Sequence, residues 1–153
     1  MPRPLVFMMG QSPVFLPTDR QYARNHMWAA PAGEAYRVGL SAYAVKLLGD
    51  VRHLRWSVEP GQTVASGREI GFIEGSKATS DLYAPMEGTI AEINPAVVAD
   101  PRLISTDLYD DGWLLAIAAP GSSLLSPEEY VAHVEAIWPL AQRLLKGQAG
   151  RSG

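Results

Sequence analysis

The stretch Glu74-Gly75-Ser76-Lys77-Ala78-Thr79-Ser80-Asp81 decides how this chain is read. To its left lies the apolar run Ile70-Gly71-Phe72-Ile73. To its right lie Leu82-Tyr83-Ala84-Pro85 and then Gly88-Thr89-Ile90-Ala91-Glu92-Ile93. Two strand-like runs around a turn of small residues predict a β-hairpin with Lys77 near its tip. A lysine at a tip sends its amine into solvent, within reach of another protein. Hairpin geometry alone explains such a lysine as a solvated charge, because turns are polar and lie on surfaces. Its neighbours in sequence point further.

Glu74 precedes Lys77, Gly61 stands upstream, and Ala84-Pro85-Met86-Glu87-Gly88 supplies a downstream Ala-Pro-x-x-Gly. This constellation resembles the lipoate-attachment hairpin of the glycine cleavage H protein family, whose pattern is close to E-S-V-K-A-x-S-[DE]. Gly75-Ser76 stands here in place of Ser-Val. The segment Tyr22 to Trp28 is similar to the family's Y-x-x-x-H-E-W, with Asn25, His26 and Trp28 in register and Met27 in place of the glutamate. Val38 to Asp50 looks like V-G-[IL]-[TS]-x-Y-A-x-x-x-L-G-D. Leu103 to Leu115 looks like P-x-L-[IL]-N-x-x-P-Y-x-x-G-W-[LM], with Leu108 for a proline. The resemblance spans roughly residues 22 to 119.

The resemblance implies a mainly β fold, a flattened β-sandwich or barrel-sandwich hybrid of the lipoyl/biotinyl hammerhead type, with short helices and a C-terminal helix. It implies lipoate held by an amide on Lys77, with Glu74, Gly61 and Gly88 among the features the lipoate-attaching enzyme reads. Asp81 matches a family carboxylate near the arm, and Asn25 and His26 fall at cofactor-side positions. A biotin carrier would show A-M-K-M at the tip, and no methionine flanks Lys77. The partners implied are a glycine decarboxylase, an aminomethyltransferase, a dihydrolipoyl dehydrogenase and the attaching enzyme. The carrier passes an aminomethyl group among them and catalyses nothing itself. Met27 bears on the cargo: the family glutamate helps hold the amino end of the loaded arm, and a thioether has no charge to offer an ammonium. Met27 and the basic run at Arg52 to Arg55 leave room for a lipoate-binding carrier of another pathway, such as sulfur oxidation. An unlipoylated interaction module is the third reading. His26 reads by itself as a packed histidine bonded to backbone.

Composition narrows the classes. At 153 residues, 47% hydrophobic and 19% charged, the chain suits one globular unit with its own core. A formal charge of −3 with mixed signs gives no basic stripe for nucleic acid. There is no cysteine, so neither disulfides nor thiolate ligands arise. His26, His53 and His133 are scattered and give no metal-ligand spacing. No run is long enough to span a membrane, and residues 1–10 make a poor secretory signal, so a cytoplasmic protein is expected.

Taken in order, residues 1–21 form an extension whose four prolines exclude a long helix. Val6-Phe7-Met8-Met9 and Val14-Phe15-Leu16 read as short edge strands that pack on the domain. Pro31-Ala32-Gly33 is a turn before a strand from Glu34 to Leu40. Ser41 is set to cap a helix from Ala42 to Leu48 that Gly49 closes. Val51 to Val58 reads as a strand with a basic face. Val58 to Val64 and Tyr83 to Ile90 echo one another, as expected of a two-fold repeated sandwich with four strands from each half. Asn94 to Pro101 gives a helical turn, and Trp113 leads the closing strand. After a linker, Ser126-Pro127-Glu128-Glu129 opens a helix with the stripe Val131, Val134, Trp138, Ala141 and Leu145, kinked at Pro139. The carrier domain thus covers 22–119, the linker and helix 120–146, and a frayed tail 147–153.

Overall fold

A computed structural model describes residues 3–121 and 123–152, with side chains in the last helix described as far as residue 143. The elements are β1 (Leu5–Met9), β2 (Ser12–Leu16), β3 (Gln21–Tyr22), β4 (Met27–Ala32), β5 (Ala35–Leu40), α1 (Ala42–Leu48), β6 (Val51–Trp56), β7 (Thr63–Val64), β8 (Glu69–Gly75), β9 (Thr79–Tyr83), β10 (Gly88–Ile93), α2 (Pro95–Ala99), α3 (Leu103–Thr106), β11 (Leu115–Ala118) and α4 (Pro127–Ser152). The fold is mainly β, with open sheets and a C-terminal helix. One sheet runs β3-β4-β5-β11-β10-β7, a second runs β6-β8-β9, and β1 pairs with β2 alone. The six-and-three division replaces the expected four strands from each half. The two echoing segments do meet: Thr89 pairs with Thr63 and Gly88 with Val64, and Gly61 N–H donates to Ile90 O at 2.7 Å.

Between the two larger sheets lies a core of Met27, Val38, Leu40, Leu48, Ile70, Ile73, Leu82, Ile90, Leu115 and Ile117. A second cluster gathers Phe7, Val14, Leu16, Tyr22, Trp28, Tyr43, Tyr130 and Val134. The N-terminal hairpin packs as the alternation of its sequence demands. Phe7, Met9, Val14 and Leu16 are buried, while Val6, Met8 and Phe15 face outward about half exposed. Tyr109 Oη donates to Phe15 O at 2.9 Å and ties the hairpin to the domain.

Several local expectations hold in detail. Ser41 Oγ accepts from Ala44 N–H at 3.3 Å, and Gly49 closes α1 with φ 79°. Asn94 caps α2, and its side chain also donates to Asp111 O and Trp113 O at 2.9 and 2.7 Å. Ser126 and Glu129 form a reciprocal capping box: Ser126 N–H donates to Glu129 Oε1 at 2.9 Å, and Glu129 N–H to Ser126 Oγ at 3.1 Å. Trp113 is core, 8% exposed, with the Arg37 guanidinium 4.6 Å from its ring centre.

Other expectations shift. Pro31 and Ala32 stay in β4, and the turn is Gly33-Glu34, because Ala32 pairs with Ala35 and Gly33 takes φ 66°. Pro31 is tolerated there because β3 pairs β4 only at Trp28 and Ala29, which leaves Pro31 at an edge. The α4 backbone stays helical through Ser152, past Gly147 where a tail was expected. The side chain of Leu145, and Gly153, lie outside the described residues.

Candidate functional site

The lysine hairpin is the β8–β9 pair, running from Glu69–Tyr83 to Glu74–Thr79 with a register shift between Glu69 and Gly71, and Gly75 N–H donates to Ala78 O at 2.9 Å beneath the tip. Lys77 is exposed, and its ammonium has no hydrogen bond or ion pair among the described residues. Its main chain is far from free. Lys77 N–H donates to Leu48 O at 2.8 Å, and Ser76 N–H donates to Asp50 O at 2.9 Å. Asp50 N–H in turn donates to Ser76 Oγ at 3.0 Å. Leu48 ends α1, so its carbonyl lacks an intrahelical partner, and the hairpin tip supplies one. The fit is tight. A Cβ on Gly75 would overlap Leu48 O, and one on Gly49 would overlap Ser76 Oγ. Gly75-Ser76 is therefore a matched pair: the glycine admits the approach and the serine bonds across it.

This seat for the tip was not legible beforehand. Gly49 read only as a helix terminator, and nothing in sequence joins Leu48 to Lys77. The available signal was Gly49-Asp50 following the helix, where a backbone with positive φ exposes carbonyls for another strand to meet.

Beside the hairpin opens a cleft of about 360 Å³. Met27, Leu40, Leu48, Ile73 and Leu82 form its apolar wall, and Asn25, His26, Ser80, Asp81 and Tyr83 supply polar groups. Among the cleft residues Asp81 is the single carboxylate. Tyr83 Oη donates to Asp81 Oδ2 at 3.4 Å, and the nearby carboxylate pushes the phenol's pKa up. Asn25 Nδ2 donates to Tyr83 O at 2.9 Å, and Asn25 Oδ1 accepts from Met27 N–H at 3.3 Å. Asn25 thus ties β9 to the start of β4.

His26 departs from the expected backbone-bonded histidine. Its Nδ1 lies 2.8 Å from the hydroxyl of Tyr130, on α4. Its backbone sits at φ 73°, fixed by His26 N–H to Ala23 O at 3.0 Å and Ser41 N–H to His26 O at 2.9 Å. Burial, with the His133 ring close by, lowers its pKa to about 4. Tyr130 itself was missed in sequence. It falls between the polar Glu129 and Val131, yet it is fully buried and stacks on Tyr22 at 4.7 Å.

The site residues divide accordingly. Asn25, His26 and Asp81 share the cleft. Lys77 and Glu74 belong to the hairpin, and Glu74 pairs across to Thr79 and His53. Gly61 and Gly88 lie in neither. Gly61 turns the chain at φ 92°, and a Cβ on Gly88 would overlap Ala118 O in the neighbouring strand. On β6, Arg52, His53 and Arg55 are exposed, as their basic run suggested.

An open β-sandwich that offers a lysine on a seated hairpin, beside a cleft, has the form of a carrier domain. The Glycine cleavage H-protein family matches residues 20–137. The glycine cleavage system H protein of Rubrobacter xylanophilus is 40% identical over 121 residues, covering 78% of this chain and 95% of that protein. That of Thermobifida fusca is 37% identical over 122 residues, covering 78% and 96%. The crystal structure of a glycine cleavage system H protein from Mycobacterium marinum superposes with a TM-score of 0.69 at 40% identity, covering 76% of this chain and 97% of that one. The chain belongs to the glycine cleavage H-protein family, a family of lipoyl carriers. The β1–β2 hairpin precedes the matched residues.

Proposed function

We propose that this chain carries lipoate as an amide on Lys77 and serves as the mobile substrate of the glycine cleavage enzymes: the decarboxylase, the aminomethyltransferase and the dihydrolipoyl dehydrogenase. The observation that carries the reading is an unpaired, exposed lysine on a main chain held rigidly from below. Attachment needs a neutral amine that reaches an activated acyl group, and a flexible stem that then adds length to the arm. A fixed tip presents the lysine in one place to the attaching enzyme. The bound lipoyl group supplies disulfide–dithiol chemistry that a chain without cysteine lacks.

The protein residues divide the remaining work. Glu74 on β8, with the turn at Gly61 and the close strand packing at Gly88, gives the attaching enzyme a defined surface. Asn25, His26 and Asp81 face an arm folded into the cleft. The chain itself is a carrier and not an enzyme. We place it in the cytoplasm; none of its described helices is long and apolar enough to cross a membrane. The glycine cleavage names of its relatives favour this pathway over a sulfur-oxidation carrier.

The test is Lys77→Arg, incubated with a lipoate ligase and labelled lipoate. Native chain takes up one label and supports glycine-dependent turnover; the variant does neither and melts at the native temperature. Undiminished label on the variant would sink the assignment of Lys77.

A further inference from the structure

A closed ring of hydrogen bonds holds the cleft histidine. Ser41 N–H donates to His26 O at 2.9 Å. Ser41 Oγ lies 2.8 Å from the Tyr130 hydroxyl, and that hydroxyl lies 2.8 Å from His26 Nδ1. Ser41 and Tyr130 are both fully buried, so each hydroxyl must place its proton inside the protein. Ser41 Oγ already accepts from Ala44 N–H. For the Ser41 proton, the acceptor at hand is the Tyr130 oxygen. Tyr130 then has one direction left for its own proton, toward His26 Nδ1. A neutral imidazole that accepts at Nδ1 carries its proton on Nε2. That nitrogen has no hydrogen-bond partner among the described residues, and His26 is one of the residues that line the cleft.

We propose that the Ser41–Tyr130 relay locks His26 as the Nε2–H tautomer and makes it a hydrogen-bond donor to an arm lying in the cleft. An Nε2–H is a donor for the amide carbonyl that a lipoyl arm bears in every loading state, and it has no lone pair for an ammonium. Among the cleft residues Asp81 is left to meet a cation, at the exposed rim. Ser41 and Tyr130 are positioning residues that act through His26. The identity of the arm rests on the carrier reading; the tautomer does not.

The test is a long-range ¹H–¹⁵N correlation spectrum of the histidine rings at neutral pH. In the unmodified native chain, His26 shows a pyridine-type Nδ1 and a pyrrole-type Nε2. In Tyr130→Phe the two nitrogens move toward averaged positions while the far-ultraviolet spectrum stays native. Lipoylation of the native chain shifts the His26 Nε2 resonance, and in Tyr130→Phe that shift falls at least twofold. An Nδ1–H pattern in the native chain overturns the relay, as does a Tyr130→Phe spectrum identical to the native one. An Nε2–H tautomer that lipoylation leaves unmoved overturns the role in the cleft. The tautomer is read before any lipoate is attached, so a failure of Lys77 to accept lipoate is a separate result.

Discussion

The main-chain N–H of Lys77 donates to the carbonyl of Leu48 at 2.8 Å, so the tip of the hairpin closes the end of helix α1. The exposed amine therefore stands on a backbone that cannot drift. Rigid presentation suits a lysine that several enzymes must find, because a tip ordered beforehand loses little freedom on docking.

That contact depends on two glycines. Gly49→Ala places a Cβ against Ser76 Oγ at a backbone φ of 79°, and Gly75→Ala places one against Leu48 O. Each is expected to cost about 1–3 kcal/mol, the usual range for local strain. Each should also slow lipoylation more than tenfold. Urea unfolding and a ligase progress curve measure the two effects. A native lipoylation rate in Gly75→Ala would show that the seat is not what the enzyme reads.

His26 makes stability depend on pH. Its pKa is lowered to about 4 in the fold from an ordinary 6.5, chiefly by burial. Between those values the unfolded chain binds a proton that the native chain does not. Stability from this group is thus full above about pH 6.5 and is lost as pH falls toward 4. The loss should be about 1–3 kcal/mol. His26→Asn suits the positive φ, since asparagine tolerates that region, and it removes the titration. Denaturation curves from pH 7 to pH 4 should show the native chain losing more stability than the variant. Parallel profiles would contradict the burial argument.

Met27 is 1% exposed in the cleft wall. Met27→Glu introduces a carboxylate into the wall and buries a charge, so the unmodified variant should lose about 2–4 kcal/mol. If the cleft holds an amine-ended cargo, the same variant should turn over glycine faster, with Met27→Gln showing no gain. Equal turnover in all three proteins would place the cargo elsewhere.

The N-terminal hairpin separates its two faces. Phe7 is 6% exposed and packs 6.0 Å from Tyr43, ring centre to ring centre, while Phe15 is 53% exposed. Phe7→Ala should cost about 3 kcal/mol, and Phe15→Ala under about 0.5 kcal/mol. Thermal unfolding decides between them.

Local chemistry was legible in sequence wherever neighbours along the chain set it. The Ser41 cap, the Gly49 stop, the Ser126–Glu129 box and the hairpin around Lys77 all follow from residues within a few positions of one another. The relationships that make the site do not. His26 and Tyr130 meet across 104 residues, and Leu48 meets Lys77 only because β6 and β8 pair. Tyr130 falls between the helix cap and the Val131 stripe and drew no reading of its own, although its ring turns inward to stack on Tyr22. The sheet division was hidden for a similar reason: β7 is two residues long and is defined by its pairing with β10.

Attachment of the prosthetic group to Lys77 is open to direct measurement. Intact mass of the protein purified from its native cells, followed by peptide mapping across Lys77, tests it most directly. A lipoyl-sized increment is expected on the peptide containing Lys77. An unmodified Lys77, in cells whose other lipoyl proteins carry the group, would contradict it.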